Sequence, residues 1–243
     1  MMLMTAVAQG TLSPAAIGGY LDFAFSNSNQ LLRLLFQHLE ITLLSIALAL
    51  PLGVVVGTFI SVYERARTPV LWLAGIMQTI PSIALFGLLI PIMGIGMPPV
   101  VAALIAYSQL PIIRNTYIGL TQVNQEAVEA GRGLGMNRRE RLRRVQIPIA
   151  LPVIMAGVRN SVVIIVGIAA IGAFIGAGGL GDYLFQGIRR RNVDMIVVTT
   201  VLLSALALVL DYGFGVSERL LRARNGEEVQ PTRVTRALQK VIA

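Results

Sequence analysis

The sequence predicts an all-α fold in which a bundle of helices crosses a membrane several times. Of the 243 residues, 55% are hydrophobic and only 13% are charged, and the mean hydropathy is +0.74. Soluble domains carry about 25% charged residues, so this balance excludes an ordinary soluble domain. Five apolar runs are each long enough to cross a bilayer as a helix, which takes about 20 residues. We therefore predict a polytopic membrane domain with about five transmembrane helices.

The apolar runs divide the chain into three parts. We predict an N-terminal lead-in over residues 1–30, a transmembrane domain over 31–221 and a basic tail over 222–243. Several spans contain prolines, among them Pro81 and Pro111, which free backbone carbonyls that only protein or a wet cavity can satisfy. Kinked helices around a gated cavity are therefore expected. The predicted spans cover residues 39–60, 70–93, 98–120, 149–175 and 193–216.

The arginines predict how the chain is oriented. The net charge is +8, and the cationic residues gather beside apolar runs at 63–68, in the loop 121–148 and in the tail. Because basic loops stay on the cytoplasmic side, we predict that these three segments are cytoplasmic and that the N-terminus is outside. The three arginines at 189–191 disagree, and we expect them outside, against lipid head groups or a partner protein. This placement argues for membrane lipid and against nucleic acid as a partner.

Two features mark the first span. His38 is the only histidine and there is no cysteine, so neither a thiolate site nor a histidine-based metal site is predicted. We interpret His38 as an interfacial polar residue at the start of a helix. Gly53 and Gly57 form a G-x-x-x-G pattern, which permits close packing of helices.

The loop 121–148 has the signals of two short helices. Asn124 is a good N-cap, Glu126 falls in the first turn, and a helix can run to Leu134. Gly135 then tolerates left-handed geometry at the helix end. Asn137, followed three residues later by a Glu, predicts a second N-cap, and we expect the second helix to stop near a proline at 148. A loop closed in this way is a rigid knob that can transmit a push.

The same loop resembles the signature loop of ABC-importer permease subunits. Residues 129–135 read E-A-G-R-G-L-G, and an apolar-Pro pair follows thirteen residues after the last glycine. The spacing fits, with a glycine at 131 where an alanine is usual. The alternative is an ordinary basic loop between two membrane helices. The resemblance implies that this coupling loop (residues 121–148) docks on an ATPase subunit. The implied coupling residues are Glu126, Glu129, Ala130, Gly131, Gly135 and Pro148.

Further segments resemble the osmoprotectant branch of that family, the importers of glycine betaine, choline and carnitine. They are T-I-P-S-I-A-L at 79–85, P-I-M-G-I-G at 91–96 and L-P-I-I-R-N-T-Y at 110–117. The segments 150–159 and 176–181 also occur in the methionine-importer branch. A permease for methionine or another small polar metabolite therefore remains open, as does, in a different class, a secondary transporter or channel.

The resemblance implies a type I ABC-importer permease in a bacterial inner membrane. Its partners would be cytoplasmic ABC ATPase subunits, a second permease subunit, identical or homologous, and an extracytoplasmic solute-binding protein. This chain would be a translocation subunit rather than an enzyme and would carry no cofactor. ATP and Mg²⁺ would bind to the ATPase partner, since no phosphate-loop pattern occurs in this sequence.

A glycine-rich run separates the last two spans. Its G-x-G-x-x-G spacing matches a dinucleotide fingerprint, which needs a preceding strand, whereas here a membrane-length apolar run precedes it. We interpret the run as a tight external turn at the mouth of the pathway. The residues of this predicted gate are Gly176, Gly178, Gly179 and Gly181.

Polar residues inside the spans are candidates for the translocation pathway, because they are costly in a membrane. The alternative for each is a hydrogen bond within the bundle. The middle of the spans carries no Asp or Glu, which favours ATP coupling over coupling to an ion gradient. The predicted lining residues, which offer neutral dipoles to a solute, are Gln78, Ser82, Tyr107, Ser108 and Asn115.

Overall fold

The computed structural model describes residues 14–226, and no strand occurs in that range. Residues 1–13 of the predicted lead-in and 227–243 of the predicted tail lie outside it. Short 3₁₀ segments occupy Glu64–Ala66 and Gly172–Ile175, and a π-helical segment occupies Leu142–Gln146. The α-helices are α1 Pro14–Ser26, α2 Ser28–Val62, α3 Arg67–Thr79, α4 Ser82–Met93, α5 Met97–Thr121, α6 Gln125–Gly133, α7 Arg138–Arg141, α8 Ile147–Ile171, α9 Leu180–Arg190 and α10 Val193–Arg224.

The described helices bear out the predicted number of spans. Four are long and apolar enough to cross a membrane: Ser28–Val62, Met97–Thr121, Arg138–Ile175 and Val193–Arg224. A fifth span results when Glu64–Thr79 and Ser82–Met93 are counted as one broken span. The first span begins earlier than the predicted residue 39, because the helix that contains it runs from Ser28 to Val62.

The second span differs from the prediction, since 70–93 was expected to be one helix. It is interrupted at Ile80 and Pro81. Pro81 has no backbone N–H, and proline disfavours helical geometry in the residue before it. Ile80 accordingly has extended backbone angles, φ −70° and ψ 127°. The Ile80-Pro81 pair is therefore a sequence signal for the break, although the run of apolar residues continues across it.

The described residues form two compact units, and four of the five boundaries between them fall within long helices, the fifth at the break after Pro81. The first unit contains residues 14–43, Ser82–Ala103 and Val166–Ala207. The second contains Leu44–Pro81, Leu104–Ile165 and residues 208–226.

In the second unit the helices α2 and α5 approach closely at the predicted G-x-x-x-G. A Cβ added at Gly53 would lie 2.5 Å from Cγ2 of Ile112, and one at Gly57 would lie 2.5 Å from Cβ of Thr116. Both positions leave no room for a side chain, so the pattern is a packing motif as predicted. The surrounding core includes two clusters of buried residues, Ile60, Ala74 and Ile113 in one and Leu120, Ala150 and Ile154 in the other.

Candidate coupling loop and translocation site

The first helix of the coupling loop is capped at both ends as predicted. The side chain of Asn124 accepts a hydrogen bond from the backbone N–H of Glu126 at 2.8 Å. At the other end, Gly135 has a left-handed φ of 77°. The Gly135 N–H donates to the carbonyl of Arg132, and the Met136 N–H donates to that of Gly131. These two bonds form a Schellman motif, which satisfies carbonyls that the helix end leaves free.

The second helix of the loop begins with a complete capping box. The Asn137 side chain accepts from the Glu140 N–H at 3.0 Å, and the Glu140 carboxylate accepts from the Asn137 N–H at 2.9 Å. The predicted stop near Pro148 is wrong, because α7 continues through the π-helical segment into α8. Pro148 lies within this continuous helix, two residues after the end of the π-helical segment. The coupling loop is therefore continuous with a span.

Contacts across the loop hold the two short helices together. The Arg141 guanidinium donates to the Met136 carbonyl at 3.0 Å. Gly131 is buried, and a Cβ there would lie 3.4 Å from Val145 and 3.5 Å from Arg141, which is ordinary contact. Arg138 donates to the carbonyl of Val62 at the end of α2, at 3.5 Å. The loop is thus one compact body attached to a span.

The surface of the loop offers groups to a partner. Glu126, Glu129 and Ala130 are exposed, and Glu129 forms a 3.1 Å ion pair with Arg132. Leu134, which the sequence reasoning treated only as a helix end, is 77% exposed. A large apolar side chain held out by a rigid helix end is a candidate contact residue.

The predicted lining residues Gln78 and Tyr107 support the broken span. The Tyr107 hydroxyl donates to the carbonyl of Ile80 at 2.6 Å, at the break itself. The Gln78 amide donates to the Tyr107 carbonyl at 3.0 Å. That carbonyl would normally accept from residue 111, which is Pro111 and has no N–H. Gln78 therefore replaces a helical hydrogen bond that Pro111 removes, and Tyr107 satisfies a carbonyl at the break.

The other three predicted lining residues lie in separate places. Ser108 is fully buried, and its hydroxyl donates a hydrogen bond to the carbonyl of Leu104 at 2.7 Å. Its own carbonyl accepts a hydrogen bond from the Ser161 hydroxyl. Asn115 donates to the Pro111 carbonyl at 2.8 Å, and Ser82 is half-buried at the start of α4. Four of the five thus make hydrogen bonds within the bundle. Their role in lining a pathway stays a prediction.

A cluster of charged residues joins α8 to α10. Arg159 donates two hydrogen bonds to Asp211, from Nε at 2.6 Å and from Nη2 at 2.7 Å. Its Nη1 lies 3.7 Å from a carboxylate oxygen of Glu218, whose other oxygen accepts from Arg222 at 3.0 Å. The sequence reasoning missed the two carboxylates. Asp211, Glu218 and Arg222 recur at seven and four residues, which places them on one helix face and could have revealed the cluster.

The glycine run 176–181 forms a tight turn in the first unit. Gly176, Gly178 and Gly179 all have left-handed φ angles between 77° and 80°. A Cβ at Gly178 would overlap the side chain of Gln37, and one at Gly181 would overlap the Ala170 carbonyl. A 3₁₀ segment rather than a strand precedes the run, so it is no dinucleotide fingerprint.

The side chains of α2 hold this glycine turn. The Gln37 side chain accepts from the Gly179 N–H at 3.0 Å, and its amide lies 3.5 Å from the Ala177 carbonyl. His38 was predicted to be an interfacial residue at a helix start, but it lies within α2 and is fully buried. Its Nε2 is 3.1 Å from the Val166 carbonyl. His38 therefore packs under the turn rather than at the surface.

The carboxyl of Asp182, next to the glycine turn, has a shifted pKa. Burial raises the pKa of Asp182, in the first turn of α9, while the positive charge of Arg189 acts in the opposite direction. Among the described residues, no group of three or more His, Cys, Asp or Glu could hold a metal ion.

Known proteins place the chain in a family. Residues 49–223 match the family described as "Binding-protein-dependent transport system inner membrane component". The choline transport system permease protein OpuBB of Bacillus subtilis is 38% identical over 200 residues, which cover 82% of this chain and 92% of that protein. The osmoprotectant import permease protein OsmW of Salmonella typhimurium is 45% identical over 197 residues, covering 79% and 92%.

A solved structure shares the fold. The MetNI methionine ABC transporter in an inward facing conformation matches with a TM-score of 0.69 at 25% identity, over 76% of this chain and 93% of that chain. The fold is therefore that of a type I ABC-importer permease, as predicted. The chain belongs to the binding-protein-dependent transport permeases, and the predicted resemblance to their osmoprotectant branch is confirmed.

This membership defines the protein in general terms. It is a multi-pass membrane protein and the permease subunit of an ABC importer, not an enzyme. The family implies that it works with an ATPase and with a solute-binding protein.

Proposed function

We propose that this permease imports quaternary ammonium compatible solutes, such as glycine betaine, choline or carnitine, across a bacterial inner membrane. The observation that carries the proposal is the identity of 38% and 45% to a choline and an osmoprotectant permease, over about four fifths of the chain. The methionine transporter is less similar to this chain, at 25% identity. The solute would be selected largely by the binding protein.

In the proposed mechanism, ATP and Mg²⁺ bind to two cytoplasmic ATPase subunits and drive alternating access. Closure of the ATPase pair would move the coupling loop, which contacts it through the exposed face of α6. Because the second helix of the loop runs without a break into α8, its movement would be passed directly to a span. A second permease subunit, identical or homologous, would complete the pathway. Hydrolysis would return the pair to the inward-facing state.

The proposed orientation puts the coupling loop in the cytoplasm and the glycine turn outside. It can be tested with single cysteines, since the chain has none of its own. Gln186→Cys on α9 should react with an impermeant thiol reagent added outside, and Asn137→Cys should not. The opposite labelling would contradict the five-span topology.

The function itself is tested by reconstitution. The permease, its ATPase and its binding protein are placed in vesicles, and uptake of glycine betaine, choline, carnitine and methionine is measured. We expect ATP-dependent uptake of at least one quaternary ammonium solute that persists when ion gradients are dissipated. Uptake of methionine alone would replace the proposed substrate class, and uptake that collapses with the gradients would indicate a secondary transporter.

A further inference from the structure

A charged cluster joins Arg159, in the middle of the membrane-spanning helix α8, to Asp211 and Glu218, in the last part of α10. Arg159 is the thirteenth of the 25 residues of α8, so twelve residues separate it from either end of that helix. At a rise of about 1.5 Å per residue, this is about 18 Å from each end. The side chains of Arg159 and Asp211 are nevertheless 35% and 31% exposed.

Exposed charges at this depth restrict what can cover them. A charged side chain facing lipid hydrocarbon is costly, and such residues normally face a water-filled cavity or the interior of a bundle. The half-exposed side of the cluster therefore faces water or protein. This side opens into a cleft of about 440 Å³ lined by Ala156, Arg159, Asn160, Val163, Asp211 and Glu218.

The cleft presents positively and negatively charged groups whose capacity for hydrogen bonds is not filled by neighbouring residues. Nη1 of Arg159 has only the 3.7 Å contact with Glu218, which is longer than a hydrogen bond. Asn160 is exposed, and its side chain makes no hydrogen bond to the residues that the structure describes. The Glu218 oxygen at 3.7 Å likewise has no closer partner, while its other oxygen holds Arg222.

These groups complement a small zwitterion. A guanidinium edge and an amide can donate to a carboxylate, while a carboxylate oxygen attracts a cation. A positive donor pair and a negative oxygen in one cleft therefore match a molecule that carries both charges a few bonds apart. Ala156 and Val163 add an apolar wall for methyl groups.

We propose that this cleft between α8 and α10 is a transient subsite for a zwitterion that carries a quaternary ammonium and a carboxylate. The Arg159 Nη1 and the Asn160 amide hold the carboxylate of the solute, and Glu218 faces its ammonium. The subsite rests on the proposed function, because it assumes that the solute is of this class. Binding is weak, since Arg159 keeps its two bonds to Asp211 and a transport site must release what it receives.

The position is tested first by labelling Val163→Cys in the complete importer, because Val163 is exposed in the cleft and supplies only part of its apolar wall. We expect a water-soluble thiol reagent to label it, and glycine betaine at high concentration to slow the labelling. Asn137→Cys on the coupling loop is the control, whose labelling rate should not depend on the solute. Reaction of Val163→Cys with membrane-permeant reagents alone would place this face against lipid and overturn the proposal, and so would labelling that the solute does not slow.

The chemistry is tested by uptake into vesicles at saturating binding protein. Choline has the ammonium but no carboxylate, so Asn160→Ala should lower the uptake rate of glycine betaine about tenfold, as for one hydrogen bond to a charged group, and leave that of choline unchanged. Glu218→Gln should lower both. Tyr212→Phe, next to Asp211 on α10, is the matched control and should lower neither.

An equal loss of both solutes in Asn160→Ala, or no loss, would overturn the subsite. If the wild-type importer delivers only one of the two solutes, the solute protection of Val163→Cys decides alone. Failure of the proposed function is a distinct result, because the unaltered importer would then take up no quaternary ammonium solute under ATP.

Discussion

In the coupling loop, the side-chain hydrogen bonds that cap the helices join residues close in sequence, whereas in the spans several side-chain hydrogen bonds join residues far apart. Asn124 caps the N–H of Glu126 two residues on, and Asn137 that of Glu140 three residues on. In the spans, Gln78 reaches Tyr107 across 29 residues, and Arg159 reaches Asp211 across 52. Local partners can therefore be identified from spacing, and distant ones only from packing.

Proline is the physical reason for part of this difference. Within a span, a proline removes a donor that no water can replace, so a side chain from another element must supply it. Gln78 does this for the carbonyl opposite Pro111, and Asn225 donates at 3.1 Å to the Pro148 carbonyl, which Pro152 leaves without its helical partner. In the exposed loop, water serves any group that the caps leave free.

The largest effect is expected at Gly181, because the backbone carbonyl of Ala170 leaves no room for a side chain there. In Gly181→Ala the new Cβ overlaps the Ala170 carbonyl, so backbone must move. We expect a destabilisation of about 1–3 kcal/mol or more, the usual cost of overpacking, with a lower unfolding midpoint of the purified permease. Gly167→Ala is the control, since nothing lies within 4 Å of that position. Equal midpoints for the two variants would contradict the tight packing of the turn.

The second prediction concerns Tyr107, whose hydroxyl supports the broken span. Tyr107→Phe keeps the ring but leaves the Ile80 carbonyl without its donor, which should cost about 1–3 kcal/mol. Because the break would lose its anchor, transport should slow while the solute affinity of the binding protein is unchanged. Tyr63→Phe, which removes an exposed hydroxyl, should have no effect on either the unfolding midpoint or the uptake rate. A wild-type rate in Tyr107→Phe would show that water or another group replaces the hydroxyl.

A smaller effect is expected from the local cap of the loop. Asn124→Ala should destabilise α6 by about 1 kcal/mol, while Asn124→Asp should retain the cap. Hydrogen exchange of the amides of α6 measures this directly, and only the alanine variant should exchange faster. Faster exchange in both variants would mean that the cap is not what holds the helix.

The smallest expected effect is a gain in the stability of the coupling loop. Gly131→Ala places a methyl in ordinary contact with Val145 and Arg141, and alanine favours a helix by up to about 1 kcal/mol over glycine. We expect a slightly more stable loop with coupling retained, in line with the alanine usual at this position in the resembled signature. Gly133→Ala, with nothing within 4 Å, separates helix propensity from packing. A loss of stability in Gly131→Ala would mean that the space around residue 131 cannot hold a methyl group.

The sequence was sufficient for what depends on neighbours and on composition. The number of spans, both N-caps and the left-handed Gly135 follow from residues within a few positions of each other or from apolar length. The break at Ile80 was missed because the effect of Pro81 on the residue before it was underestimated. The continuation past Pro148 was missed because the tendency of proline to end a helix was overestimated.

The pairing that forms the charged cleft was missed for a different reason. Asp211 lies near the end of a predicted span, and only the packing of α10 against α8 brings it to Arg159 in the middle of another. The observation that the middle of the spans carries no Asp or Glu treated each span by itself, so it could not anticipate this pairing. His38 was likewise placed by its position in an apolar run, which says nothing of the glycine turn that buries it.

The central claim is that the coupling loop transmits ATP hydrolysis to the spans, and Glu129→Lys tests it most directly. Glu129 is exposed, and its pair with Arg132 is a surface ion pair worth little, so folding and membrane insertion should be normal. In the assembled importer, the variant should lose the stimulation of ATP hydrolysis by the solute-loaded binding protein. Asp22→Lys, the same charge change on the exposed surface of α1, should keep it. Full stimulation in Glu129→Lys would contradict the assignment of the loop.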